Sequence, residues 1–291
     1  MGTDCKLGTE SILERYDPGE PQVSAAELEQ LWLLGPAREV ASLSAADREA
    51  LQAQGVAVAV LTDIGTTVGR AARKRVDAFL PLTRLLWEQY GREGRIVAVH
   101  ALGPMELAAP NIVMPVVVEL ARSCVAWEDC DQLAMRALEP IVRRKPEQWL
   151  AAMEPLLVDD SKWVRRAAVT VVGRLPMSRP EYTARCLEMT EVLLPDEDQD
   201  VRRATSFAIR IAARGEVEPV RAFLARHVPP QQAAATWVLC DAMRSMTKAF
   251  LPQFVSLLPG YEQWAADPSL SAQDRRSVES AVKVLRSAVN G

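Results

Sequence analysis

A tryptophan, a carboxylate and a cluster of arginines recur in this 291-residue chain at spacings that give them shared helix faces. Trp127 and Asp131 stand four residues apart, one helical turn, so both project from the same side. Two later segments, DDSKWVRRAAV (159–169) and DEDQDVRRATS (196–206), match each other at a spacing of 37 residues. Acidic residues lead each expected helix start, where carboxylates offset the N-terminal partial charge and cap free N–H groups. Counting the same interval back from Val164 reaches Trp127, so 127, 164 and 201 are expected to begin equivalent helices.

That register gathers Trp127, Asp131, Lys162, Trp163, Arg165, Arg166, Arg202, Arg203, Phe207 and Arg210 along one wall. Two readings follow from the residue types. Arginine forks suit phosphates, aromatics can contact a base or sugar, and a carboxylate stabilises developing positive charge. Equally, Asp131 can pair with Arg165 or Arg166 as a structural ladder across the repeat junction, and Trp127 and Trp163 can be packing residues. Spacing alone leaves both open.

The elements that must hold these residues are helical. Apolar residues follow a helical period almost throughout, and strand alternation is absent. Helices are expected at 77–90, 92–103, 110–123, 127–143, 146–157, 161–174, 180–194, 198–213, 216–226, 230–247, 248–258 and 271–289. Earlier, Ser24 with Glu27 reads as a capping box, and Ser44 opens a helix closed by Gly55. Short connections make successive helices antiparallel neighbours. One helix pair per 37 residues is the period of HEAT-type repeats. The expected fold is all-α: an α-α superhelix, or solenoid, of HEAT-like helical pairs with a concave groove. Residues 1–22, polar and carrying Gly2, Gly8, Pro18, Gly19 and Pro21, read as a loosely ordered tail. Residues 23–291 read as a single repeat domain.

Composition narrows the chemistry. With 49% apolar residues there is ample material for a core. Five cysteines without CxxC pairing fit buried, reduced thiols and a cytoplasmic location. Two histidines, His100 and His227, argue against a zinc site or a His-based triad, so neither metal nor cofactor is expected. The N-terminus shows no signal-like apolar region. The apolar stretch 107–120 is interrupted by Pro110 and Pro115, so no membrane span is expected. Net charge is −4, which by itself does not favour nucleic acid, although a local basic stripe can coexist with an acidic total.

The order of motifs from 60 to 230 resembles the DNA alkylation repair family, the HEAT-like alkylpurine DNA glycosylases. Trp127-x-x-x-Asp131 matches its WxxxD, and Trp163-x-x-Arg166-Ala167-Ala168 matches the WxxR(A/T)A one repeat later. LWEQYGREGRIVAVHALGPM (86–105) is similar to the helix pair carrying LWxxxxxExxxxA, and QDVRRATSFAIRIAA (199–213) to the next repeat. Asp63-Ile64-Gly65-Thr66 loosely echoes an N-terminal loop of the family. The resemblance implies removal of cationic N3- or N7-alkylated purines from duplex DNA by hydrolysis of the N-glycosidic bond, in a monomer. It implies Asp131 as catalytic carboxylate, Trp127 against the deoxyribose and Arg166 on the adjacent phosphate. DNA contacts would come from Lys162, Trp163, Arg165, Arg202, Arg203, Arg210 and Phe207, the last standing where tryptophan is usual. A paralogue that lost excision and serves as a DNA-binding or protein-interaction scaffold is the alternative. Helices from 230 to 291 lie beyond the resemblance.

Overall fold

The computed structural model describes residues 2–36 and 42–289, and among them every regular element is helical. The chain divides into two compact units, Met1–Arg144 and Lys145–Gly291.

The first unit opens with helix α1 (Gly2–Glu14), where a loose tail was expected. Its polar composition hides a narrow apolar stripe: Thr9, Ile12, Leu13 and, just beyond, Tyr16 are buried. The Tyr16 hydroxyl donates to the Ala78 carbonyl at 2.7 Å, fastening the segment to the helix that follows Arg75. Helix α2 (Pro21–Leu33) starts at Pro21, whose missing N–H costs nothing at a first helical position. Ser24 therefore lies inside the helix and is buried, and the capping box expected there does not form. The short α3 (Ala45–Ala50) is capped as its sequence suggests, with Ser44 accepting from the Asp47 N–H.

Helix α4 (Val58–Ala72) was absent from the expected helices, and the supposed loop 63–66 is its middle. Its glycines look like helix breakers in sequence. In the fold they are contact points against α6 (Gly91–Ala108), because a Cβ on Gly69 would stand 2.3 Å from the Ala101 carbonyl oxygen. Helix α5 (Val76–Gln89) precedes α6, and α7 (Pro110–Arg122) follows it. Helix α8 (Trp127–Leu133) passes through a π-helical turn, Ala134–Leu138, into α9 (Glu139–Arg144).

The second unit begins with α10 (Pro146–Trp149) and two 3-10 turns where one helix was expected over 146–157. The elements after it are α11 (Lys162–Arg174), α12 (Thr183–Thr190), α13 (Gln199–Ala212), α14 (Val217–His227), α15 (Thr236–Arg244), α16 (Leu258–Ala265) and α17 (Ala272–Val289). Helices α11, α13 and α15 start 37 residues apart, one repeat further than the sequence pattern revealed. Val164, Val201 and Val238 hold the same place in each and are all buried. Alternate helices stack, α11 on α13, α13 on α15 and α15 on α17, which is the arrangement of helical-pair repeats. Helix α8 departs from this count: it starts at Trp127, so its first residue corresponds to Lys162 and not to Val164. The C-terminal helices complete the core of this unit, burying Phe254, Tyr261 and Trp264 with Leu239 and Met243.

The cysteine reading holds for the buried four, Cys124, Cys130, Cys186 and Cys240, and none of the five forms a disulfide among the described residues. Among the described residues no helix is long and apolar enough to cross a membrane.

Gly69→Ala should lower the denaturant midpoint, costing about 2 kcal/mol, the usual penalty for overpacking a tight contact. A second expectation concerns Glu106 on α6. Burial pushes its carboxyl up to about 7 against the opposing pull of Arg144 and Arg143. The folded chain thus keeps a proton that the unfolded chain releases above 4.5, so stability is lost as pH rises through about 7. Glu106→Gln should remove that loss, read as melting temperatures that no longer fall between about pH 5 and about pH 8.

Candidate functional site

Trp127 and Asp131 occupy the first and fifth positions of α8 in the first unit, and both are half-buried. Trp127 packs against Leu43, Leu51 and Ala126. The helix start is fixed by its other two carboxylates. Asp129 accepts from the N–H groups of Val125 (3.0 Å) and Ala126 (3.1 Å), and it pairs with Arg95 of α6. Burial raises its carboxyl, while those N–H groups and Arg95 oppose the shift. Glu128 takes a two-pronged contact from Arg92, at 2.7 and 2.9 Å. Of the three carboxylates in α8, the two buried ones are structural, and Asp131 shares the more open face with Trp127.

Glu93, the acidic residue of the 86–105 motif, also proves structural. It is fully buried and accepts from the N–H groups of Gln54 (3.0 Å), Gly55 (3.0 Å) and Val56 (3.2 Å). Trp87 of the same motif is buried, donates to Ser123 at 2.7 Å and lies under the Arg95 guanidinium. The motif therefore builds the seat on which α8 begins.

The second unit carries the other candidates. On α11, Lys162 sits over the Trp163 ring at 4.4 Å and pairs with Asp200 (2.8 Å) and Asp198 (3.5 Å). Burial would lower the Lys162 ammonium, but its contacts with Asp200 and Asp198 outweigh this and raise it. Arg165 grips Asp196 through Nε (2.7 Å) and Nη2 (3.3 Å) and donates Nη1 to the carbonyls of Asp159 and Asp160. It is a clamp between repeats. Arg166 is buried and donates to the Asp200 carbonyl at 2.7 Å. It holds the fifth position of its helix, as Asp131 does in α8.

The cations of α13 differ. Among the described residues, Arg202, Arg203 and Arg210 form no salt bridge with a carboxylate. Arg203 is exposed, Arg210 lies over the Phe207 ring at 4.7 Å, and Arg202 lies over Trp237 at 5.3 Å. Arg203, Phe207 and Arg210 follow helical spacing, so α13 presents an arginine–aromatic–arginine stripe. Sequence reading treated all these cations alike and did not single out Trp237. The 37-residue step from Trp163 through Asp200 leads to it. Among the described residues there is no cluster of metal-ligating side chains.

An all-helical repeat protein with an aromatic–carboxylate pair on one helix and unneutralised arginines on another has the parts of a nucleic-acid-processing protein. The family comparison makes that specific: the chain belongs to the DNA alkylation repair enzyme family, whose model matches residues 27–246. The match reaches further in both directions than the motifs at 60–230, taking in the second half of α2 and all of α15. No curated protein matches the sequence. Among solved structures, an engineered protein is 13% identical, with 84% of this chain and 98% of that chain covered and a TM-score of 0.35. A designed armadillo repeat protein in complex with the peptide (KR)4 is 16% identical over 78% of this chain and 91% of that one, with a TM-score of 0.34.

The two kinds of arginine should separate in stability measurements. Arg165→Ala should cost about 2 kcal/mol, because it leaves Asp196 without its charged donors. Arg203→Ala should change stability by less than about 0.5 kcal/mol, as for other exposed positions. Paired denaturant titrations check both.

Proposed function

We propose that this protein is a DNA glycosylase that excises cationic N3- or N7-alkylated purines from duplex DNA, acting as a monomer without metal or cofactor. The observation that carries the reading is the placement of Asp131: in a chain of the DNA alkylation repair enzyme family, it stands one helical turn after Trp127 on α8, and both are half-buried.

The chemistry asks little of the protein. An alkylated purine that carries a positive charge leaves as a neutral base, so no acid is needed to protonate it. As the N-glycosidic bond breaks, positive charge develops on the deoxyribose, and a carboxylate beside it stabilises that charge and orients the attacking water. Water adds at the sugar carbon and its surplus proton is released. Asp131 would fill the carboxylate role, and Trp127, one turn earlier, would pack against the sugar. Arg166 would hold the adjacent phosphate. The bare arginines of α13 and the Phe207 ring would hold the duplex through backbone and stacking contacts.

The test is release of 7-methylguanine from a modified duplex. The native chain should release base, and Asp131→Asn should release at least about 100-fold less, as when an electrostatic stabiliser of a transition state is lost. Asp131→Asn should still bind duplex DNA. No release by the native chain, or equal release by Asp131→Asn, overturns the proposal. DNA binding without release would instead identify a non-catalytic scaffold.

A further inference from the structure

The repeat that follows α13 changes its acidic partners. In the α11–α13 step, Lys162 meets Asp198 and Asp200 while Arg165 meets Asp196. One 37-residue step later, those three aspartates are replaced by Ala233, Ala235 and Trp237. Arg202 is the counterpart of Arg165, and it reaches into the next repeat in the same way. It finds an indole face where Arg165 finds a carboxylate. Its Nε is buried without a hydrogen-bond partner, and no carboxylate neutralises its charge among the described residues.

Such an arrangement is poor design for stability alone. A buried donor without an acceptor is destabilising, and a salt bridge of the Arg165 type would have been available by keeping one aspartate. It suits an arginine held ready for an outside anion. The indole supports the guanidinium plane through a cation–π contact and limits its freedom, so less entropy is lost when the fork meets a phosphate. Trp237 is itself held, half-buried against the core of the second unit.

We infer that Trp237 is a positioning residue for DNA, orienting Arg202 to take a backbone phosphate. This rests on the proposed DNA-directed function and adds to it a residue one repeat beyond the sequence motifs. Trp237 acts through Arg202, so the two substitutions should not add.

The experiment measures affinity for an unmodified duplex across a salt series, using the full chain, with the native sequence as the reference. Arg202→Ala should weaken binding roughly 10-fold and reduce the salt slope by roughly one. Trp237→Ala should weaken binding several-fold, Trp237→Phe should largely restore it, and the Trp237→Ala, Arg202→Ala double variant should bind no worse than Arg202→Ala. Circular dichroism melts verify that each variant is folded. If Trp237→Ala fails to fold, Trp237→Phe against Trp237→Leu, of which the leucine should bind several-fold more weakly than the native chain, gives the same decision. Native binding with unchanged affinity and slope in Arg202→Ala, or additive losses in the double variant, overturns this inference and leaves the glycosylase reading standing. A native chain that does not bind duplex DNA overturns both.

Discussion

The buried ion pairs between α6 and α8 are the constraint on which the candidate chemistry depends. Arg92 and Arg95 stand three residues apart on one face of α6 and take two successive carboxylates, Glu128 and Asp129, at the start of α8. Charges this deeply buried are tolerable only when each is matched. The start of α8 therefore has one position relative to α6, and Trp127 and Asp131 inherit it. Glu93, between the two arginines, turns to the loop at 54–56 and gathers three backbone N–H groups. Gly91 enables this junction: its φ of +58° suits glycine, and a Cβ there would stand 2.9 Å from the Gln52 carbonyl oxygen.

Much of the architecture was legible in the sequence because helical repeats are written in local periodicity. The all-helical fold, the 37-residue register of α11 and α13, and the buried thiols follow from spacing and composition. The misses have a common origin. Helix α4 escaped because Gly65 and Gly69 are explained by the carbonyls of α6, which no local pattern displays. Helix α1 escaped because its buried stripe is narrow and its remaining surface polar.

The candidate site shows the same division. That Asp131 belongs with Trp127 was readable from a four-residue spacing. That Asp129 belongs instead to the helix cap was not, because this depends on where α8 begins, and its charged partner, Arg95, is remote in sequence. VRR occurs in both α11 and α13, and local sequence cannot say which arginines are neutralised. The answer lies one repeat further on, in whether the facing turn reads DEDQD or AAATW. Family membership, spanning 27–246, supplies what geometry does not: the kind of damage such a protein addresses.

The placement of charge along α11 and α13 has a kinetic consequence. At long range a polyanion meets a molecule whose formal charge is −4, so its approach gains no acceleration from the overall field. Within about 8 Å at physiological salt, screening hides the total and only nearby groups count. There Arg203 is exposed and Arg202 and Arg210 are half-buried, with no carboxylate paired to any of the three among the described residues. A surface of this kind captures its partner at ordinary collision rates and expresses its preference in how slowly it lets go.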